Sequence, residues 1–548
     1  MKKLLKPNHS LATTRRESLL TILSTALVLA GCGGGGSSNT SAGSSSGVVG
    51  ASAGTGSAGS GSAGTGSAGS GSNVSNPGTP TSGLVLANNK IAVFGDSRSA
   101  NATQNSNITA TTRVTAEAYI AYAMIASNFR GDFTGSYGVN ANNLEMMLDR
   151  LGPTVQIRGQ LLSVEPGLSA SIVIFLGGVN NSVSPISFTG PIYQSIFQKL
   201  ADAGKVVIVC NEVPSNTTGT ASSEQVNRRA YLDSVTIASN NDRIIHVNTF
   251  DPILQPGTTN TSKPGYFAVG DALHPGPLGN RVLGETIGVV LERILSGAGY
   301  ASRSAKVPTL ASQSVLLNAM LTGTAGTIAP ETAGAGGANR NGISGTGVTG
   351  PVADGWTFAR DSNLATLLNG TQSTAGDQLT VTLSKGLDSE NFATQVIKVA
   401  GQVGVVDAIY NLSLTNVNFV NAASLVSGSS NGIGVTDGDR LYSAARIKVS
   451  AAAKGLLGPG IEVIVSSPSA PDSGQANLSG TITPSNRDWR STVAFDKLVL
   501  SQPRTLPVGF GTTAETKIIQ QQLVISIAGG VPVDFVVEIS RFGIIKNP

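Results

Sequence analysis

Between residues 84 and about 297, short apolar runs alternate with amphipathic segments, and this alternation most restricts the folds open to the chain. Lys90 to Gly95 (KIAVFG), Ala170 to Gly177 (ASIVIFLG), Lys205 to Cys210 (KVVIVC) and Arg243 to Val247 (RIIHV) are apolar at successive positions, so each must be covered on both faces. The intervening Thr115 to Phe129, Asn142 to Leu151, Ile192 to Ala203 and Glu224 to Ile237 space their apolar residues along one helical face, and Asn280 to Leu295 adds a closing helix. Alternating strands and helices predict an α/β unit, a parallel sheet between two helical layers. Sites in such sheets lie at the carboxyl ends of the strands.

The rest of the chain has a different texture. From Gly33 to Gly83 it is nearly all Gly, Ser, Ala and Thr, with SAGTGSAGSG repeated in tandem from Ser52. No core can form from such residues, and a coil of that length reaches roughly 40 Å. Residues 32–83 are therefore predicted to be a flexible linker. Ahead of them Lys2, Lys3, Lys6, Arg15 and Arg16 face only Glu17, and Leu19 to Ala30 form an apolar run well short of the roughly 20 residues that span a bilayer. Residues 1–31 read as a secretory signal. Leu29-Ala30-Gly31-Cys32 resembles a bacterial lipobox, which implies cleavage before Cys32, lipidation there, and a protein anchored in the bacterial cell envelope through its N-terminal lipid. Thr14-Arg15-Arg16 is a faint match to a twin-arginine export signal, with Ser18 where an apolar residue is usual.

This basic head accounts for the whole formal charge of +4, leaving the remainder neutral. A global electrostatic case for a nucleic-acid partner is thereby excluded. After Lys306 the pattern changes to period two. Gln378 to Leu383, Asp407 to Phe419, Arg440 to Val449, Gly460 to Val465, Thr492 to Leu500, Lys517 to Ile527 and Val531 to Ile545 alternate along short stretches, with Ser312 to Leu321 the one further helical candidate. Residues 308–548 are predicted to be an all-β, jelly-roll-like sandwich.

Three motifs in residues 84–297 carry chemistry. Gly95-Asp96-Ser97 closes the first strand, and a serine on the turn after a buried strand is exposed at the mouth of the sheet. Gly178-Val179-Asn180 follows the apolar run Ile172 to Leu176. Asp271-Ala272-Leu273-His274-Pro275 puts a carboxylate and an imidazole three residues apart, in one loop just before the last helix.

In this order and setting, GDS, G-x-N and D-x-x-H-P resemble the SGNH/GDSL hydrolase superfamily over residues 90 to 296. The resemblance implies a flavodoxin-like three-layer fold and an esterase with a Ser97, His274 and Asp271 triad. Ser97 is the nucleophile, His274 the base and then the acid, and Asp271 the group that orients the imidazole. Its oxyanion donors map to the backbone N–H of Ser97, the Gly138 to Ala141 segment and the Asn180 amide. Here the sequence departs from the family's N-x-G-x-S-G, because Gly138 takes the place of the first glycine and Ala141 that of the last. An N–H survives a Gly-to-Ala change, but a methyl group now lies near the acyl pocket. Asn181 stands where an aspartate often follows the asparagine, and Arg98 where an apolar residue often follows the serine.

The competing chemistries have less support. Of three histidines, His9 lies in the signal and His246 in a strand, which leaves His274. Cys210, at the end of an apolar run, reads as a small buried hydrophobe rather than a nucleophile. No cluster suggests a metal, no phosphate-binding glycine motif appears, and no cofactor is expected. Trp356, Trp489, Tyr410 and Tyr442 could stack on sugars, though aromatic residues in sandwiches more often fill the core. The leading expectation is a serine esterase acting on short acyl or acetyl esters, carried by a polysaccharide or glycan. A lipase or lysophospholipase acting on longer acyl chains is the alternative among enzymes. A surface glycan-binding protein using the fold as scaffold is the non-catalytic alternative.

Overall fold

The five-stranded parallel sheet is built from the apolar runs, plus one strand that carries no such run. In chain order the strands are β1 (Lys90–Gly95), β2 (Asp132–Gly138), β3 (Ile172–Leu176), β4 (Val206–Cys210) and β5 (Ile244–Val247). Their spatial order is β2-β1-β3-β4-β5. All pairings are parallel, and Gly95 is level with both Gly138 and Leu176, so the segments leaving β1, β2 and β3 emerge at the same height. β1 lies between β2 and β3, and chains that depart from it in opposite directions open a crevice at that end.

The computed structural model describes residues 84–546 except 101–117, 153–155, 158–159, 162–168, 216–217, 239–240, 269–270, 304–313, 331–342, 345, 362–363, 368–371, 375–377, 405–407, 421–434, 452, 467–475, 478–494, 502 and 507–516. The signal, Cys32, the linker and Trp489 thus lie outside the described residues. All described residues belong to one compact unit, Gly71–Pro548.

Alternate strand residues feed two apolar layers. Ile91, Val93, Ile172, Ile174, Val206, Ile208 and Ile245 pack with α2 (Tyr119–Ala126) and α6 (Pro277–Gly297). Ala92, Phe94, Val173, Phe175, Val207 and Val209 pack instead with α3 (Leu144–Asp149), α4 (Ile186–Asp202) and α5 (Ser223–Ala238). The short α1 (Ser97–Ala100) follows β1 directly.

The second region consists of two large sheets. One follows the path Ala325–Ile328, Val352–Asp361, Ala408–Val420, Lys517–Ala528, Leu456–Ser466, Ala476–Asn477. The other runs Val348–Thr349, Thr380–Leu387, Ala393–Gln402, Pro532–Lys546, Arg440–Val449, Phe495–Leu500. Inward residues of both, including Phe358, Leu412, Ile525, Val399, Phe535 and Val537, join one apolar cluster. That cluster is continuous with the α2/α6 layer, so the two regions share a core. Asp132 of β2 adds a polar tie, because its carboxylate bridges Arg303 (2.5 Å) and Arg440 (3.1 Å).

Several expectations need correction. Described residues 314–321 form turns rather than a helix, with Asn318 and Leu321 at positive φ. α2 stops at Ala126, and Asn128 and Phe129, also at positive φ, turn the chain away. α4 begins at Ile186 and runs through Pro191, which a propensity reading takes as a start. The D-x-x-H segment is extended rather than a loop. Asp271–Pro275 (β7) pairs antiparallel with Phe267–Ala268 (β6).

Candidate active site

Ser97 opens the turn after β1 and is 8% exposed. Asp96 shapes this turn. Its backbone oxygen accepts from the Ser99 and Ala100 N–H groups, and its carboxylate accepts from the N–H groups of Arg98 (3.0 Å), Gly178 (3.1 Å) and Val179 (3.4 Å). One buried carboxylate therefore joins the Ser97 turn to the G-x-N segment. Burial pushes its carboxyl above the usual range, against the pull of Arg98 and these N–H groups.

His274 lies on β7, three residues before Pro277 opens α6. Its Nε2 lies 2.9 Å from Ser97 Oγ. With the neutral ring protonated on Nδ1, the hydroxyl donates to Nε2, the arrangement a general base requires. The end of the strand is fastened behind it: Gly276 N–H donates to the Tyr266 carbonyl, and Asn280 Nδ2 donates to that of Pro275 (2.9 Å). Asp271 is placed in β7 by its backbone, while its side chain lies outside the described residues.

Asn180 follows Gly178, whose φ of 119° and whose clearance admit no side chain: a Cβ there would lie 2.0 Å from the Tyr193 hydroxyl. The exposed Asn180 amide donates to the Asn142 carbonyl at 2.7 Å, which leaves its second N–H for another acceptor. Asn181 is a joint. Its Oδ1 accepts from the Leu144 N–H (2.8 Å), and its Nδ2 donates to Glu145 (3.1 Å), which clamps the G-x-N segment onto the start of α3.

The two residues mapped onto the second motif differ in position. Gly138 ends β2, and its N–H is taken by Ser136 Oγ at 3.2 Å. A Cβ at Gly138 would lie 2.1 Å from the Ala100 nitrogen, so the glycine admits α1 against the sheet. Ala141, exposed in the following turn, adopts a φ of 60°. That conformation costs an L-residue about 1 kcal/mol and suits the glycine of the family pattern.

Reasoning from sequence missed the support from the segment after β4. The Ser215 hydroxyl donates to the Ala272 carbonyl in β7. Arg98, only 4% exposed, reaches the same strand from α1, with Nε on the Leu273 carbonyl (3.0 Å) and Nη2 on that of Ser215 (2.7 Å). The only sequence signal was an arginine, Arg98, directly after the serine of the GDS motif.

The remaining candidates fill structural positions. His246 Nε2 lies 3.0 Å from Asn211 Oδ1, and its Nδ1 lies 3.1 Å from Asp233. Cys210 is buried and free, and burial pushes its thiol up. Trp356, Tyr410 and Tyr442 are buried. Among the described residues, no group of three or more His, Cys, Asp or Glu side chains converges on a metal position.

No family model matches the chain. No curated protein matches it either. Among solved structures it is similar to a GDSL-like lipase from Bacteroides thetaiotaomicron, with 12% identity and a TM-score of 0.28 over 38% of this chain and 89% of that one. A carbohydrate acetylesterase from Sinorhizobium meliloti matches at 11% identity and a TM-score of 0.26, over 38% and 98% of the two chains. An aryl esterase from M. smegmatis matches at 12% identity and 0.26, also over 38% and 98%. The structural neighbours thus include GDSL-type esterases, at low similarity and over a minor part of the chain.

Proposed function

We propose that the chain is a serine esterase of the SGNH/GDSL type, with its catalytic site at the carboxyl end of a flavodoxin-like sheet. The observation that carries this reading is the 2.9 Å contact between Ser97 Oγ and His274 Nε2. A serine hydroxyl is a weak nucleophile until a base takes its proton. His274 removes that proton as Oγ attacks the ester carbonyl, then returns it to the leaving alkoxide. A second cycle with water releases the acid. Asp271 is assigned the Nδ1 side of the ring, where a carboxylate fixes the tautomer and stabilises the imidazolium.

Charge on the tetrahedral intermediate goes to the Ser97 N–H, the second amide hydrogen of Asn180 and the N–H of Ala141. Gly138, whose N–H is engaged by Ser136, is assigned instead the close approach of α1 to the sheet. Each donor contributes on the order of 3 kcal/mol to the transition state. The Ala141 methyl, standing where the family has none, is the ground for placing short acyl or acetyl esters first, on a polysaccharide or glycan. The jelly-roll-like region 308–548 is then an accessory module, and lipid on Cys32 holds the enzyme at the cell envelope.

Ser97→Ala is expected to abolish hydrolysis of p-nitrophenyl acetate while the circular dichroism spectrum stays that of the wild type. Activity retained in that variant removes the serine assignment. A panel from acetyl to dodecanoyl esters tests acyl length, and a clear preference for dodecanoyl contradicts the short-acyl reading. Replacing Cys32 by Ser should release the protein from the membrane fraction.

A further inference from the structure

His274 sits on a strand that is held by groups from other elements. β7 pairs only with Phe267–Ala268 among the described strands, and its carbonyls at Ala272 and Leu273 are held by groups far away in sequence. Arg98 grips Leu273, the residue before His274, and the same guanidinium binds the Ser215 carbonyl. Ser215 in turn holds Ala272 through its hydroxyl. Two adjacent peptide groups beside the imidazole are thus fixed from one buried hub.

The hub also reaches the oxyanion side. The Ser215 carbonyl accepts from Gln225 Nε2 (3.3 Å), which donates to Glu212 (2.9 Å). Glu212 pairs with Arg228 at 2.7 Å, and Arg228 Nη1 donates to the carbonyls of Asn181 (3.0 Å) and Ser184 (3.2 Å). Arg98, Ser215, Gln225, Glu212 and Arg228 therefore form a continuous polar brace from the His274 strand to the Asn180 segment.

We infer that Arg98 is the positioning residue of this site: by bridging the Leu273 and Ser215 carbonyls it sets the distance from His274 to Ser97. A planar guanidinium can hold two carbonyls in fixed directions, which the apolar residue usual at this position cannot, and an ammonium holds them less rigidly. Misplacing a catalytic group by about 1 Å costs about 100-fold in rate. The Arg98 guanidinium acts on the Leu273 and Ser215 carbonyls, so its loss should change kcat rather than substrate binding.

The test compares Arg98→Met, Arg98→Ala and Arg98→Lys in the full chain with a p-nitrophenyl ester. Met should lower kcat about 100-fold with KM within about twofold of wild type. Lys should fall between the two, about tenfold down. Added methylguanidinium should restore part of the Ala variant's kcat without moving its melting temperature. The assignment is overturned by kcat within threefold of wild type in Met, by a change confined to KM, or by loss of the folded near-UV spectrum in both Met and Ala. The last result would make Arg98 a residue of the fold. The inference rests on the Ser97–His274 reading, and Ser97→Ala separates the two. An active Ser97→Ala removes that reading, whereas an inactive one beside a fully active Arg98→Met removes only the role of Arg98.

Discussion

The α/β region and the two-sheet region both bury charge, but they use it differently. In the first, Asp96, Arg98, Glu212 and Arg228 are buried at one end of the sheet, and together they brace the segments that carry Ser97, Asn180 and His274. In the second, Arg360 ties the Tyr410 hydroxyl (2.7 Å) to the Thr346 carbonyl (2.8 Å), and Arg541 holds Glu390 (3.0 Å) and Asp388 (3.4 Å). Those bonds fasten strands to neighbouring turns, and Arg446 joins Arg541 on the turn that carries Asp388 and Glu390. Buried charge is costly and persists where it is fully bonded. What the buried charge braces, the motif segments in one region and strand-end turns in the other, separates the two rather than its amount.

The largest effect should come from the motif segments. His274→Ala is expected to lower kcat about 10⁴- to 10⁶-fold with the melting temperature unchanged, measured by ester hydrolysis and calorimetry. In the second region the same pair of measurements should invert. Trp356, stacked on Phe542 at 4.8 Å and bonded to the Asn318 carbonyl, is core, so Trp356→Ala should cost about 3–5 kcal/mol of stability and leave kcat of the folded fraction unchanged. A fall in kcat with no loss of stability would instead make Trp356 a substrate contact.

Asn180→Ala should lower kcat about 10²- to 10³-fold. The bridge between the regions should respond to pH. Burial opposes the charge on Asp132, but Arg303 and Arg440 hold its carboxyl below the usual range. A depressed folded value means stabilisation that is present above the unfolded value of about 3.9 and is lost as pH falls through the folded one. The stability difference between wild type and Asp132→Asn, about 2 kcal/mol at pH 7, should therefore shrink below pH 4, with esterase activity at pH 7 unchanged. The smallest effect should be at Ala141. Glycine there relieves the strain of a φ of 60° and gains about 0.5 kcal/mol after its greater unfolded-state entropy is subtracted.

What was legible in the sequence follows the same division. Four of the five parallel strands announced themselves as apolar runs because a doubly covered sheet demands them. β2 did not, because DFTGSYG at the edge of the sheet is half-buried and carries glycines, Gly138 among them, where α1 crosses. Ser97 and His274 were legible as motifs, and the structure brings them together. The brace was not, because Arg98, Ser215, Gln225 and Arg228 meet only after folding, and their partners are mostly backbone carbonyls that leave no trace in residue identity. Strands such as Ala393–Gln402 were missed for a related reason: their alternation is broken by polar residues such as the buried Gln395, bonded to Pro351 and Ser384 carbonyls.

The central claim is that Ser97, activated by His274, is the nucleophile, and its most direct test is the site of covalent capture. Treating the full chain with a fluorophosphonate and mapping the adduct by peptide mass spectrometry should find the phosphonyl group on Ser97, abolished in Ser97→Ala and strongly slowed in His274→Ala. An adduct on another residue, or none while ester hydrolysis proceeds, would contradict it.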